Sequence, residues 1–275
     1  MIYKILPENY FEHDFFDEMI KIIKNDKDCD NYNFYFTNNY KNLPEYGNKV
    51  VAVLTAGDER GKLPSYSKNV RYVFKHHLDY EEVENATHIP LPVMRGYKPK
   101  QDNTWEQRDI DVFFSGHCLD ANNKPIATRK NFVESVRKIE KELKSYNIEI
   151  SLTKKWNTGL SIEEYSEKMS KTKIVLSPHG HHRSECIRFS EGVASGSAIV
   201  SCEQPNTICY EQAPAIYINN KKWDTSIYQI KKILDDKKRW QEINKKMKKC
   251  WSDIFSPEAQ ALKIIKKVKN NGKQK

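Results

Sequence analysis

The residues best suited to chemistry lie in the segment Ser177–Ser201. It opens with a turn containing Pro178 and Gly180, and Arg188 and Glu191 follow three residues apart. On a helix, that spacing places both side chains on the same face. A guanidinium can pair with a phosphate through two parallel hydrogen bonds, and a carboxylate can accept hydrogen bonds from ribose hydroxyls. The segment is therefore a candidate nucleotide-binding site.

The turn itself reads PHGHHRS and is basic. We expect five of its residues to contact phosphate or sugar: His179, Gly180, His181, Arg183 and Ser184. The glycine would let the backbone approach a ligand closely. Zinc binding by the histidines and a plain surface loop are the alternatives, although adjacent histidines do not have the spacing usual for zinc ligands.

Gly116 and Arg129 form a second candidate group. A strand over 109–116 ends at the glycine, and the arginine begins a helix whose apolar residues recur on one face. In doubly wound folds, ligands bind at the carboxyl ends of the strands. Both residues could therefore reach the same ligand as Arg188. An Asp-x-Asp pattern opens this strand, but its position at the strand's start argues against a metal site, and we expect none.

Strands and helices alternate along the chain. A continuous apolar run over 49–55, bounded by turn-forming residues, indicates a strand buried on both faces. Further strands are predicted at 109–116, 148–156, 173–180 and 197–201, with helices at 129–145, 161–172 and 184–196. This order indicates parallel βαβ units and an α/β, doubly wound architecture.

A segment rich in proline and glycine, at 87–100, separates two such sets of elements. We therefore predict a first domain over residues 1–104 and a second over 105–252, which contains the candidate site. Residues 253–275 are predicted to form a C-terminal helix and tail.

The candidate segment resembles a known family. Residues 173–201 are similar to the nucleotide-sugar half of GT-B glycosyltransferases, and specifically to the exostosin-like group. The matching positions are Pro178, Gly180, Ser184, Arg188, Glu191 and Gly196. The DVFFSG strand followed by a helix led by an arginine also matches, as does the sequence GDER at 57–60.

The resemblance implies a function in polysaccharide biosynthesis. A GT-B fold has two facing Rossmann-like domains with parallel sheets, and its final helix often packs back on the first domain. The second domain would bind a UDP- or GDP-linked sugar donor, and the first domain would bind a glycan or glycolipid acceptor. Such enzymes transfer the sugar without an obligatory metal or other cofactor.

Asp58 and Glu59 are the predicted catalytic residues. They follow the buried strand over 49–55, at the edge where a doubly wound domain exposes its functional loops. In an inverting reaction, one carboxylate would take the proton of the acceptor hydroxyl. In a retaining reaction, the two side chains would only position the acceptor.

The charge of the chain is concentrated at its end. The 275 residues carry a net charge of +9, but from Lys221 onward there are 17 basic and 6 acidic residues, and the preceding part sums to −2. Contact with an anionic membrane is one interpretation.

Nucleic-acid binding is an alternative function that we do not expect, because aromatic residues are not interleaved with the lysines. A nucleotide-binding module without catalysis is another alternative.

The sequence composition gives an expectation for the cellular compartment of the protein. The sequence has no apolar run of the roughly 18–20 residues that span a bilayer, and its first residues lack the pattern of a signal peptide. Six cysteines occur without a Cys-x-x-Cys pair, which favours reduced thiols. We therefore expect a cytoplasmic protein, with the inner face of the cytoplasmic membrane as an alternative place.

Overall fold

The structure is a computed structural model that describes residues 1–7, 10–55, 62–156 and 158–270. In chain order its strands are β1 (Ile2–Ile5), β2 (Asn33–Thr37), β3 (Gly47–Leu54), β4 (Val70–Lys75), β5 (Glu82–Val83), β6 (Ala86–His88), β7 (Ile110–His117), β8 (Ile148–Thr153), β9 (Thr172–Ser177), β10 (Ala198–Cys202) and β11 (Ile216–Ile218). Its helices are α1 (His13–Lys24), α2 (Lys130–Glu142), α3 (Ile162–Ser170), α4 (Ile187–Ser195), α5 (Ile208–Gln212), α6 (Ser226–Leu234), α7 (Lys237–Cys250) and α8 (Pro257–Asn270).

The chain divides into two compact units. The first unit contains Met1–Arg95, Pro205–Glu211 and the chain from Ser252 onward, and the second contains Gly96–Gln204 and Gln212–Trp251. Each unit is built on a sheet whose strands are parallel, apart from one antiparallel pair in the first unit, so the predicted α/β class is confirmed.

The first unit is built on a sheet whose described strands are ordered β1-β2-β3-β4-β6-β5. All neighbours are parallel except β5 and β6. Residues Val50–Leu54 of β3 are fully buried, as the continuous apolar run predicts for a strand covered on both faces. Helices α1 and α8 pack against each other in this unit. The ammonium of Lys269 lies 2.9 Å from the carboxylates of both Asp26 and Asp28.

The second unit has a parallel sheet in the order β11-β10-β9-β7-β8. The chain adds β8 on one side of β7 and then adds β9 on the other side, so its winding direction reverses between β7 and β9. The core on one side of this sheet includes Phe114, Phe132 and Trp223. Trp240 also belongs to it, and its indole N–H donates to the carbonyl oxygen of Lys173 (2.9 Å).

The division between the units falls at Arg95, before the predicted position at 104. Residues after Arg95 are joined to α3 of the second unit. The N–H of Lys98 donates to Ser166 Oγ (3.2 Å), and the N–H of Lys100 donates to Ser170 Oγ (2.7 Å). Both serines lie on α3, and these side-chain acceptors therefore tie the connecting segment to the second unit.

In the described ranges, we find no helix that combines the length and the apolar character needed to cross a membrane. All six cysteines lie among the described residues, where they are buried thiols.

Candidate functional site

The predicted donor-binding residues gather at the carboxyl edge of the second-unit sheet. Gly116 and His117 end β7, and the turn 178–186 connects β9 to α4. These two strands are neighbours at the point where the winding reverses. Doubly wound sheets bind their ligands at such a reversal, outside the carboxyl ends of the strands.

Arg129 fastens the turn to the end of β7. Its side chain is buried, and its Nε donates to the carbonyl oxygen of His179 (2.7 Å). Its Nη1 donates to the carbonyl oxygen of His117, and its Nη2 lies 3.7 Å from the sulfur of Cys186. One guanidinium thus holds three parts of the site together.

Arg188 performs a similar task from the first turn of α4. Its guanidinium lies 4.4 Å from the ring centre of Phe114 and donates to the carbonyl oxygen of Ser115 (2.5 Å). Burial opposes the charge, but Tyr165, Cys186 and Glu191 nearby raise the pKa of Arg188 above its usual value. The arginine is therefore charged and held in place.

The position of this guanidinium explains why residue 116 is a glycine. A Cβ atom added at Gly116 would overlap with Nη2 of Arg188. Gly180 is required by the turn itself, because a Cβ there would lie 2.7 Å from the carbonyl oxygen of Arg183 and would overlap with that of Glu185. The expected close approach of a ligand at Gly180 stays a prediction. The turn folds tightly on itself at this residue.

Glu191 lies on the face of α4 that contacts α3. Its side chain is 1% exposed, and its Oε2 accepts a hydrogen bond from the hydroxyl of Tyr165 (2.7 Å). The hydroxyl of Tyr97 donates to the backbone oxygen of Glu191 (2.9 Å). Desolvation, followed by the charge of Glu191, raises the pKa of both tyrosines well above the usual value. The predicted contact of Glu191 with a ribose stays a prediction, and Tyr97 and Tyr165 are partners that sequence reasoning missed.

The rest of the turn is polar and partly exposed. His179, His181, Arg183 and Ser184 are half-buried. The backbone oxygen of Ser184 accepts a hydrogen bond from Nε2 of Gln204 (3.1 Å), which anchors the end of the turn. Nε2 of His181 lies 3.1 Å from Nδ1 of His117. Sequence reasoning missed His117, although its position directly after Gly116 at the end of a predicted strand was a signal for it.

The predicted catalytic residues, Asp58 and Glu59, lie outside the described residues. The described chain next to them ends at Thr55, whose hydroxyl donates to the hydroxyl of Tyr10 (2.9 Å). Burial, and then the charge of Glu12, raises the pKa of Tyr10 to about 12.

The carboxyl edge of the first-unit sheet carries further polar side chains. Lys75 and His88 end β4 and β6 and are fully buried, and His76 and His77 follow β4 and are nearly so. The Lys75 ammonium donates to the carbonyl oxygen of His76 (2.6 Å). His76 and His77 therefore lie in the interior at a strand end.

Other polar features of the second unit lie at the opposite edge of its sheet. Asp111, at the start of β7, forms an ion pair with Lys173 (2.7 Å). A cavity of about 690 Å³ lies between α3 and the segment 96–107, and it is lined by Lys98, Lys100 and Lys171 among others. Both features adjoin the amino ends of the strands. Among the described residues there is no cluster of three His, Cys, Asp or Glu side chains able to hold a metal.

A solved structure shares this architecture. TarM, a GT-B glycosyltransferase, superposes with a TM-score of 0.55 at 12% sequence identity, over 91% of this chain and 57% of the TarM chain. The chain has a GT-B-like fold with two Rossmann-like units. It spans less than two thirds of the length of TarM.

Sucrose-phosphate synthase from Thermosynechococcus elongatus superposes with a TM-score of 0.46 at 11% identity, over 98% of this chain and 82% of that chain, and this likeness adds no support to the fold. No protein-family model matches the sequence, and a search of curated proteins finds no match.

Proposed function

We propose that this chain is a glycosyltransferase that moves a sugar from a UDP- or GDP-linked donor to a glycan or glycolipid acceptor. One observation carries the proposal. In a chain with a GT-B-like fold, a basic turn and two arginines lie where the winding of a parallel sheet reverses. This is the edge at which a doubly wound sheet binds a nucleotide.

The chemistry that such a site must perform is the departure of a diphosphate. We propose that the donor's diphosphate binds against the turn 178–184 and the start of α4. Helix N-termini favour anions, and cationic groups placed beforehand stabilise the charge that develops on a leaving group. Arg129 and Arg188 would hold this surface in shape, and Glu191 would bind the ribose. The transfer would need no metal, as in the exostosin-like enzymes of polysaccharide biosynthesis that the motif resembles.

The catalytic part of the proposal concerns Asp58 and Glu59. They come soon after β3, a central strand of the first-unit sheet. One of them would accept the proton of the acceptor hydroxyl in an inverting reaction.

A two-stage experiment tests the function. A panel of nucleotide sugars, with UDP and GDP, would be screened by saturation-transfer NMR, and we expect at least one to bind. Asp58→Asn and Glu59→Gln would then be assayed for donor binding and for transfer to glycan acceptors. We expect binding to persist and transfer to fall in one or both variants. If both variants bind the donor and transfer the sugar as well as wild type does, the catalytic assignment is contradicted. If wild type binds no nucleotide sugar, the proposed function is contradicted.

We propose a cytoplasmic location, with the inner membrane face as the place of contact if the acceptor is a glycolipid. Lysines of α8 already pair with carboxylates of the first unit, for example Lys263 with Glu81 (2.6 Å). The exposed lysines of α7, such as Lys238, Lys245 and Lys246, are therefore the better candidates for contact with anionic lipid.

Sedimentation with anionic vesicles at low and high salt tests the membrane contact. Each basic residue near such a surface contributes about 1 kcal/mol. We expect the protein to bind the vesicles at low salt, and we expect Lys245→Ala and Lys246→Ala to weaken this binding. An absence of binding at low salt would contradict the membrane contact and leave the enzymatic proposal intact.

A further inference from the structure

Two histidine rings meet at the carboxyl edge of the second-unit sheet. His117 is the last residue of β7, and His181 lies in the turn that follows β9. Nε2 of His181 is 3.1 Å from Nδ1 of His117, and the ring centres are 4.8 Å apart. The two nitrogens are within hydrogen-bond distance, so one ring can donate its N–H to the other.

The geometry limits how many protons this pair can hold. A neutral imidazole has one N–H and one acceptor nitrogen. In the contact, one ring donates and the other accepts. A further proton can bind only to the outer nitrogen of the donating ring, which makes that ring cationic and strengthens its hydrogen bond. A second further proton would place hydrogens on both facing nitrogens and would separate the rings.

Charged groups lie on the segments that adjoin the pair. Arg129 donates to the backbone oxygen of His117, and Arg188 donates to that of Ser115. The other titratable or charged groups on the adjoining segments are His179, His182, Arg183, Glu185 and Cys186 in the turn and at its end, Cys118 and Asp120 after β7, and Lys154 and Lys155 after β8. Positive charges predominate in this set.

The predominance of positive charge sets the direction of any response. The positive groups on these segments attract an anion to this edge. An anion that arrives at this edge reverses the local field and favours protonation of the pair. The pair would therefore gain a proton when an anionic ligand binds and release it when the ligand leaves.

We propose that His117 and His181 form an anion-binding pair that takes up one proton from solvent when the diphosphate of the donor binds. This inference rests on the proposed function, since it places the diphosphate at the turn. Cleavage of the bond between the sugar and the diphosphate leaves one more negative charge on the nucleoside diphosphate. The charged pair would therefore hold the leaving group more strongly than the intact donor.

Calorimetry with UDP and GDP tests the pair. Titrations in buffers of different ionisation enthalpy, between pH 6 and 8.5, measure the protons taken up per ligand bound. The variants are His117→Asn, His181→Asn and the double variant. His13→Asn is the matched control, because His13 is a half-buried histidine of the first unit whose Nδ1 lies 3.1 Å from Asp17. The ligand's own phosphate ionises near pH 6, but this contribution is common to all the variants.

We expect wild type and His13→Asn to take up as much as one proton more than the double variant. Their affinity should rise by up to tenfold for each unit of pH lowered. Each single variant should lose most of this dependence, and the double variant should lose little more, because either substitution breaks the pair.

Two outcomes would overturn the inference differently. If wild type binds UDP or GDP with the same proton uptake as the double variant, the pair has no such role and the proposed function stands. If wild type binds no nucleoside diphosphate or nucleotide sugar, the proposed function fails and the inference fails with it. Far-UV circular dichroism would verify that the variants fold. Nitrogen-15 NMR of the rings offers a measurement without ligand: two rings that titrate independently would contradict the pairing.

Discussion

Arg188 belongs to the predicted binding motif, and its guanidinium makes its observed contacts within the protein itself. Its guanidinium contacts Phe114, the carbonyl oxygen of Ser115 and the sulfur of Cys186. The spacing of Arg188 and Glu191 predicted one helix face, and both residues do lie on α4. Their individual partners could not be predicted, because these depend on the path of β7 and on the position of Tyr165.

A substitution at Gly116 tests this packing. A Cβ there would overlap with Nη2 of Arg188, so Gly116→Ala should displace the guanidinium from Ser115. We expect a loss of about 1–3 kcal/mol in the free energy of unfolding, measured by denaturant titration, together with weaker binding of UDP or GDP.

Arg188→Ala should act in the same direction. The double variant should lose less than the sum of the two single variants, because the added methyl group then meets no guanidinium. Arg137→Ala, which removes an exposed arginine of α2, serves as the control and should change little. Strictly additive losses would show that the two positions are not coupled.

At the scale of elements, helix α8 completes the first unit. Ile264 and Val268 of α8 are fully buried, whereas Leu262 on the same helix is 53% exposed. Ile264→Ala should lower the free energy of unfolding by about 2–5 kcal/mol, because it removes buried methyl groups and leaves a cavity. Leu262→Ala is the matched control and should cost far less. Equal losses in denaturant titration would contradict the assignment of Ile264 to a core.

Local patterns predicted some elements and not others. Strand β3 could be predicted because its continuous apolar run is typical of a buried parallel strand. Strands β5 and β6 have two and three residues, which is too short for any periodicity to show. The packing of α8 in the same unit as residues 1–95 depends on contacts between segments far apart in the sequence. No local sequence pattern indicates such contacts.

At the scale of the whole molecule, buried tyrosines link stability to alkaline pH. Burial raises the pKa of Tyr66, and desolvation and the charge of Glu191 raise that of Tyr97. In the unfolded chain these phenols ionise near pH 10. The folded protein keeps their protons longer, so their contribution to stability is full below about pH 10 and is lost as the pH rises.

We therefore expect the free energy of unfolding to fall steadily above about pH 10, as measured by denaturant titrations at a series of pH values. Tyr66→Phe should make this fall less steep. Tyr228→Phe removes the hydroxyl of a residue that is 61% exposed, and it should leave the slope unchanged. Identical slopes in wild type and Tyr66→Phe would show that Tyr66 ionises alike in both states.

The interleaving of the two units in the chain has a consequence for biosynthesis. When translation has passed Trp251, every residue of the second unit has been made, whereas the first unit still lacks α8 with its buried isoleucines. Domains generally fold as units while they are synthesised. The first unit, although it begins earlier in the chain, therefore cannot be completed until synthesis has reached α8, whereas the second unit needs no residue after Trp251.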